Sequence, residues 1–408
     1  MARKRDIEGN RLHHFELSDK NRTVRWILIA VLLVVGAVAL ATGLLKALET
    51  PAGWQTVTPL TAKLTCADRF VLHYEYGAQE QSATAESKAL ERLYGEATEK
   101  AWNLFYNEAG ASEISGLYAL NQQPNTEITV DSALYAALAQ LKENGTRALY
   151  LGPVYAAYDQ VFYSIDATEA ENSDPTKVPE LREYVQTLAN FANDPESVEL
   201  ELHGNDQVKL SVSEAYLAFA KENDVQYLLD LGWLKNAFAI DFMAQTLIKG
   251  GFTNGYLSSV DGFTRNLDQR NTAYNFNLFD SGKRAGVMQY HGGLSIAFLR
   301  SYPMHQEDSV RYYTFADGRI VTTMIDPGDG QSKASAQQLV SYSQETGCAE
   351  LAMSMLPLYV TEDFDEGLIN ELTEKKIYSI WFEGKELHHN QKDLSVTTEA
   401  AYTAVFAN

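Results

Sequence analysis

Cysteine is scarce in this sequence, with Cys66 and Cys348 the only two in 408 residues. A scaffold held together by several disulfides is therefore excluded, as is a zinc site built from repeated Cys-x-x-Cys pairs. Outside the cytoplasm the two cysteines could form one bridge; the alternative is two unpaired, buried thiols. The sequence leaves both alternatives open, because it gives no geometry.

Basic residues are also in deficit. The chain has 33 Lys and Arg against 54 Asp and Glu, which gives a net charge of −21. A strongly acidic surface repels phosphate backbones, so we expect no nucleic-acid partner. The charge is better suited to keeping a large domain soluble.

Catalytic and metal-binding motifs that can be recognised locally are missing. The eight histidines are scattered, and no Cys/His spacing typical of a metal site occurs. There is no Gly-x-Ser-x-Gly, His-Glu-x-x-His or Walker A pattern. Local motifs alone therefore do not identify an enzyme.

One long apolar run stands near the N-terminus. Residues 26–45 carry no charged side chain and match the thickness of a bilayer core, which predicts a single transmembrane helix. Lys and Arg dominate before the run, which predicts that residues 1–25 form a cytoplasmic tail. A signal peptide cleaved at 39–41 is the alternative. We expect residues 46–60 to be a linker and residues 61–408 to form a large domain outside the cell membrane.

Helices and strands are interspersed after the linker. Alternating apolar residues predict a strand at Arg69–Tyr76, and apolar periodicity predicts helices at Ser82–Phe105 and Leu234–Gly250. A further helix is expected at Ala334–Leu358. Since no regular β–α alternation occurs, the pattern favours an α+β sandwich over a doubly wound parallel sheet. Leu228–Asp230 reads as a short strand followed by a helix whose N-terminal N–H groups could bind a phosphate.

An ordered series of segments resembles the FAD:protein FMN transferases of the ApbE type. The series covers nearly everything after residue 60. Its segments are Leu104–Asn121, Leu151–Val154, Leu228–Gly262, Asp317–Gly330 and Ala349–Met355. The resemblance implies an ApbE-like α+β domain that uses FAD and Mg²⁺. It also implies an acceptor protein whose Thr or Ser receives FMN, typically a subunit of a membrane redox complex.

The resemblance also implies roles for individual residues. Asp326 and Thr323 fall on the element associated with catalysis. The implied flavin-binding positions are Asp230, Gly232, Asn236, Asp241, Asp261 and Gly262. The implied metal ligands are the carbonyl of Trp233 with the side chains of Glu350 and Ser354, which lie four residues apart on one helix face.

Several of these positions depart from the family pattern. Asn236 stands where the family has a flavin-binding Lys, and Lys235 comes one residue early. Thr323 replaces a His, while Trp233 and Asp261 each replace a Gly. Two functions are therefore expected: a membrane-anchored FMN transferase, or a non-catalytic ApbE-like binding domain that has lost the flavin site. A solute-binding domain unrelated to flavin is a third, weaker alternative.

Overall fold

The computed structural model describes residues 22–47, 49–78, 82–109 and 116–407. The chain divides into two units, Met1–Pro51 and Ala52–Asn408. In the first unit, α1 spans Arg22–Ala47. Among the described residues, no helix has both the length and the apolar character needed to cross a bilayer. The predicted transmembrane role of residues 26–45 is therefore not supported. Most of the predicted cytoplasmic tail, residues 1–21, lies outside the described residues.

Ten further helices belong to the second unit as described. They are α2 (Ala83–Phe105), α3 (Leu117–Gln122), α4 (Ser132–Asn144), α5 (Gly152–Phe162), α6 (Ala167–Asn172), α7 (Pro179–Asn193), α8 (Glu214–Glu222), α9 (Lys235–Lys249), α10 (Cys348–Tyr359) and α11 (Glu366–Glu374). Side chains cap the N-termini of α2 and α4. Ser82 accepts a hydrogen bond from the N–H of Ala85, and Asp131 accepts one from Ala133.

A nine-stranded sheet forms the centre of this unit. Its order is β1-β2-β6-β7-β10-β13-β14-β15-β17. All neighbours are antiparallel except β15 and β17. The strands are β1 (Gly53–Val57), β2 (Phe70–Tyr76), β6 (Gly255–Ser259), β7 (Phe263–Asn266), β10 (Ser295–Arg300), β13 (Gln338–Ser343), β14 (Tyr378–Glu383), β15 (Glu386–His389) and β17 (Thr403–Phe406).

The described residues also form three smaller sheets. Their orders are β3-β5-β4, β16-β9-β8 and β11-β12. The strands are β3 (Glu127–Thr129), β4 (Val198–His203), β5 (Gln207–Val212), β8 (Ala273–Asp280), β9 (Lys283–His291), β11 (Tyr312–Thr314), β12 (Ile320–Thr322) and β16 (Ser395–Thr398). The mixture of antiparallel sheets and packed helices confirms the predicted α+β class.

Three local predictions need correction. The predicted linker 46–60 contains β1, which pairs with β2 along its whole length. The predicted helix Ala334–Leu358 is in fact β13 followed by α10; every residue of β13 is buried, so the strand shows no alternation. Leu228–Asp230 is not a strand, because Asn121 and Asn107 bind its backbone groups instead of a neighbouring strand.

The two cysteines are not bridged. Both are free and buried. The thiol of Cys66 donates to the carbonyl of Thr98 at 3.3 Å, and that of Cys348 donates to Thr264 at 3.3 Å. Burial raises the pKa of Cys66 to about 12. Of the two alternatives that the sequence left open, the structure has unpaired thiols that are protonated at neutral pH.

Candidate functional site

A cavity of about 600 Å³ opens between the helices and the turn that connects β6 to β7 in the large sheet. This volume is in the range of small-molecule sites. We call it the main cavity. Its walls combine carboxylates, cations and aromatic rings from segments distant in the sequence. They include Arg69, Tyr155, Asp159, Tyr227, Asp230, Gly232, Trp233, Lys235, Asn236, Asp261, Arg311 and Thr323.

Asp230 organises one wall. Its Oδ1 accepts a 2.6 Å hydrogen bond from the N–H of Gly232, and its Oδ2 accepts one of 2.9 Å from the amide of Asn107. Gly232 has a φ of +55°, and a Cβ there would lie 2.4 Å from the ring of Tyr155. Glycine is therefore required both by the backbone angle and by the close approach of the aromatic ring.

Lys235 adds a cation to the same wall. It is the first residue of α9, and a 3-10 turn at Gly232–Leu234 precedes it. Its Nζ lies 3.3 Å from Asp230 and 3.8 Å from Glu108. Burial alone would lower the pKa of Lys235, but the two carboxylates outweigh that effect and raise it. The ammonium group is thus charged and held against the cavity.

Two guanidinium groups also line the main cavity. Arg69 lies over the ring of Tyr106, and its Cζ is 4.7 Å from the ring centroid. Its Nη2 is 3.7 Å from the Oε1 of Glu108. Arg311 donates to the carbonyl of Val260 at 3.1 Å and pairs with Asp308. Cations on converging walls can bind a ligand that carries phosphate groups.

Asn236 belongs to a buried hydrogen-bond chain. Its Oδ1 accepts from the hydroxyl of Tyr106 at 2.5 Å, and its Nδ2 donates to Asp261 at 2.8 Å. Asp261 also accepts from the hydroxyl of Ser259 at 2.5 Å. Burial raises the pKa of Asp261, although these hydrogen bonds and Arg311 lower it in part. The amide therefore joins α2 to the β6–β7 turn, where the family pattern has a cation.

Asp159 is the titratable group at the rim of the cavity. Water reaches its side chain, yet the surrounding walls raise its pKa to about 6 by desolvation, against the opposing effect of Lys235. Asp230 and Glu108 raise it further. A carboxyl group with this pKa can accept or release a proton near neutral pH.

Two buried donors in the main cavity lack an acceptor. Within the described residues, the indole Nε1 of Trp233 and the Nε of Arg311 have no hydrogen-bond partner. Buried donors are nearly always paired in native proteins, so these two atoms are exceptions within the described residues. Trp233, predicted to take the place of a small residue, adds an aromatic side chain to the cavity lining.

The structure brings six predicted residues to the main cavity. They are Asp230, Gly232, Trp233, Asn236, Asp261 and Thr323. Asp326 and Gly262 are among the five that lie outside its lining. Asp326 pairs with Lys333 at 2.9 Å and accepts from the N–H of Gly328. Gly262, with a φ of +110°, packs against the carbonyl of Phe298 and lines a neighbouring groove.

The predicted metal ligands do not form a cluster on the cavity. Glu350 and Ser354 lie on α10 and are not among the lining residues, unlike Trp233. Asp241 accepts hydrogen bonds of 2.9 Å from the N–H groups of Cys348 and Ala349, so it caps α10. Among the described residues, no group of three or more His, Cys, Asp and Glu could hold a metal ion.

Several cavity residues were missed or set aside at the sequence level. Lys235 was set aside because a one-residue shift in an α-helix turns a side chain by about 100°. In the structure, Lys235 and Asn236 are the first two residues of α9 and both line the main cavity. Arg69 and Asp159 come from distant segments. The Leu151–Val154 segment, which begins one residue before α5, was the available signal for Asp159.

Comparisons with known proteins give one positive result. No protein-family model matches the chain, and the search of curated proteins finds no relative. Solved structures do match. The ApbE protein of Thermotoga maritima has a TM-score of 0.56 at 11% identity, over 85% of this chain and 97% of that one. The flavin transferase ApbE of Vibrio cholerae has a TM-score of 0.54 at 15% identity, over 86% and 99%. The predicted ApbE-like fold is confirmed.

Proposed function

We propose that this chain is a flavin transferase that binds FAD in the main cavity and transfers FMN to a Ser or Thr hydroxyl of an acceptor protein. The observation that carries the proposal is the combination of three cations with aromatic walls in one cavity. It is supported by the fold shared with the flavin transferase of Vibrio cholerae. The acceptor itself is defined here only by its hydroxyl group.

The lining fits both parts of a flavin nucleotide. An isoalloxazine ring system is flat and apolar on its faces, and Tyr155, Tyr227 and Trp233 offer aromatic surfaces for it. A pyrophosphate needs cations and N–H donors. Lys235 and Arg311, which both line the cavity, supply charged N–H donors.

The proposed transfer needs a proton acceptor. The acceptor hydroxyl oxygen bonds to the phosphorus of the FMN half, the P–O–P linkage breaks, and AMP leaves with the bonding electrons. The hydroxyl proton passes to Asp159. Its pKa of about 6 leaves the carboxylate mostly ionised at neutral pH, while keeping it basic enough to accept a proton. Lys235 and Arg69 stabilise the negative charge on the leaving phosphate.

Mg²⁺ has no role in this proposal. Magnesium binds oxygen ligands in near-octahedral geometry. Of the predicted metal ligands, Trp233 lines the cavity but Glu350 and Ser354 do not. Because this donor set does not fit the ion, no step is assigned to it. The metal role of Trp233, Glu350 and Ser354 stays a prediction from family resemblance.

A specific observation favours the second candidate, a flavin-free binding domain. Asn236 is fully engaged by Tyr106 and Asp261, and Lys235 is paired with Asp230. A ligand must therefore compete with internal partners for charge. If these internal contacts persist in the presence of a ligand, the main cavity binds a neutral aromatic ligand and catalyses no transfer.

Chemistry distinguishes the two candidates. The full-length protein is incubated with FAD and a pool of capped Ser- and Thr-containing peptides, and AMP is quantified by chromatography. The proposed function predicts AMP release, flavin-labelled peptide by mass spectrometry, and a slower reaction in Asp159→Asn. No FAD binding, with and without added Mg²⁺, supports the flavin-free binding domain instead. FAD binding without AMP or labelled peptide would remove the transfer step from the proposal.

A further inference from the structure

A second groove of about 650 Å³ lies beside the main cavity. We call it the β8 groove. One side is a face of the large sheet, contributed by β1, β2, β6, β7 and β10. The other side is β8. Seven residues within 272–279 of this strand region line it, including the consecutive run 272–277. Successive residues of a strand point to opposite faces, so a groove that touches all of them follows the edge of the strand.

β8 is an edge strand. It stands at the end of the order β16-β9-β8, and within the described residues no strand pairs with its outer side. Such an edge presents N–H and C=O groups that another chain can bind. Proteins usually protect long edges with Lys or Pro, but residues 273–279 contain neither. The side-chain amide of Gln338 reaches the carbonyl of Phe279, at the far end of the strand.

Aromatic rings form the floor of the β8 groove. The Trp54 ring lies 6.1 Å from those of both Tyr256 and Tyr274, and Tyr274 lies 5.6 Å from Tyr290. Trp54 is 47% exposed, although it stands in a cluster that could bury it. An exposed aromatic anchor surrounded by other rings is typical of an energetic hot spot in a protein interface.

Charge indicates what this groove accepts. No Asp or Glu is among its described lining residues, in a chain with a net charge of −21. The side chain of Arg300 is only 5% exposed, so little of its guanidinium group is accessible to an anionic ligand. Burial lowers the pKa of His73, which keeps that imidazole neutral at neutral pH. An uncharged occupant avoids the cost of leaving a charge unpaired.

The two sites are continuous at the β6–β7 turn. Val260 lines both the main cavity and the β8 groove. Asp261 follows it into the main cavity, and Ser259 lines the groove. A chain lying along β8 therefore ends close to the site proposed for the flavin phosphates.

We propose that the β8 groove binds an uncharged, extended polypeptide segment of the acceptor protein, which adds as a strand to the edge of β8. Backbone hydrogen bonds supply affinity, and the aromatic floor receives alternate side chains. This inference rests on the proposed function, because it brings the acceptor hydroxyl toward the main cavity. The peptide site itself can be measured without flavin.

Peptide display tests the proposal. Full-length protein is panned against a library of random dodecapeptides, and enriched peptides are synthesised with capped ends and measured by fluorescence anisotropy. We expect enrichment of peptides lacking charged residues. Trp54→Ala should weaken their binding on the order of tenfold, as for an aromatic hot spot. The matched control Phe406→Ala, an aromatic residue 43% exposed on β17, should leave binding unchanged.

Backbone methylation distinguishes strand addition from simple apolar contact. Peptides N-methylated at alternate residues, in either register, are compared with the parent peptides. One register should lose binding on the order of tenfold or more, because those amides face β8. Equal binding of all forms, no enrichment, or binding equal in Trp54→Ala would overturn the proposal. Chitohexaose, an uncharged oligosaccharide, serves as the alternative occupant of the aromatic floor. Chitohexaose binding that displaces the peptides and requires Trp54 would also overturn the proposal.

FAD titration of the same variants keeps the two proposals separate. Trp54→Ala should bind FAD like the wild type, because Trp54 does not line the main cavity. Peptide binding without FAD binding would leave the β8 groove standing and remove the flavin function. FAD binding without peptide binding would remove only the β8 proposal.

Discussion

Lys235 places its ammonium group 3.3 Å from the Oδ1 of Asp230, and both side chains are largely buried in the wall of the main cavity. Asp230 is bound as well by the N–H of Gly232 and the amide of Asn107. The carboxylate therefore has two functions. It fixes the loop before α9, and it holds the cation that the proposed function uses.

Removal of Asp230 tests the first function. Asp230→Ala removes two hydrogen bonds to a charged acceptor and leaves Lys235 without its nearest carboxylate. We expect the free energy of unfolding to fall by about 2–4 kcal/mol. Urea unfolding measures it. In the double variant with Lys235→Met, the two losses should not add, with a coupling of about 0.5–3 kcal/mol. Strict additivity would show that the pair does not interact.

Asn236 is predicted to matter for stability as much as for ligand binding. Asn236→Leu has similar volume but removes the acceptor of the Tyr106 hydroxyl and the donor to Oδ2 of Asp261, whose Oδ1 keeps the Ser259 hydroxyl. A loss of about 2–4 kcal/mol in the free energy of unfolding is expected. Tyr106→Phe removes only one partner of the chain and should cost about 1 kcal/mol. Equal stability of Asn236→Leu and wild type in urea unfolding would contradict the buried chain.

Asp241 is predicted to act as a helix cap. Both of its oxygens accept backbone N–H groups at the start of α10, and a Cβ at Gly347 would lie 2.3 Å from the carboxylate. Asp241→Ala should cost about 1–2 kcal/mol in thermal or urea unfolding. Glu350 raises the pKa of Asp241, after the larger effect of burial. Glu350→Ala should therefore be neutral or slightly stabilising, and FAD affinity should be unchanged. A loss of FAD binding in Glu350→Ala, reproduced by a chelator, would restore the metal assignment.

The raised pKa of Asp159 gives a pH dependence with a defined sign. Its folded-state value of about 6 exceeds the ordinary value of 3.8, so the folded protein binds this proton more tightly than the unfolded chain. The contribution to stability is greatest below about pH 4 and declines as the pH rises toward 6. The effect should be below about 1 kcal/mol, because water reaches the carboxylate. Carbon-detected NMR titration should find the shifted pKa. Transfer activity should rise through pH 6, and Asp159→Asn should abolish that rise. A titration near 4 would remove Asp159 as the proton acceptor.

Helix α9 shows how far the sequence could be interpreted. Apolar periodicity predicted Leu234–Gly250, and the structure has Lys235–Lys249. Periodicity could not reveal the 3-10 turn at Gly232–Leu234, nor that Lys235, which follows it, lines the main cavity. The prediction of a helix where the structure has β13 was wrong for a different reason. The six residues of β13 are buried on both faces between β10 and β14, so an apolar run could not be distinguished from part of a helix.

The cavity was predicted where its residues lie within one segment and missed where they do not. Asp230, Gly232 and Asn236 belong to one segment, and family resemblance identified them. Arg69 immediately precedes β2 and Asp159 lies in α5, and only tertiary packing brings them together. The position of Asp326 outside the cavity has a local cause. Its carboxylate closes a turn onto Gly328 and binds Lys333.

Calorimetric titration of the full-length protein with FAD tests the central claim most directly. The account predicts saturable FAD binding to wild-type protein. Lys235→Met should weaken it by about 10- to 100-fold, because a charged hydrogen bond to phosphate contributes about 1.5–3 kcal/mol. Lys142→Met on α4, whose Nζ donates to the carbonyl of Leu200, is the control and should bind like the wild type. The absence of FAD and FMN binding to the wild type, or equal affinity of Lys235→Met and wild type, would contradict the account.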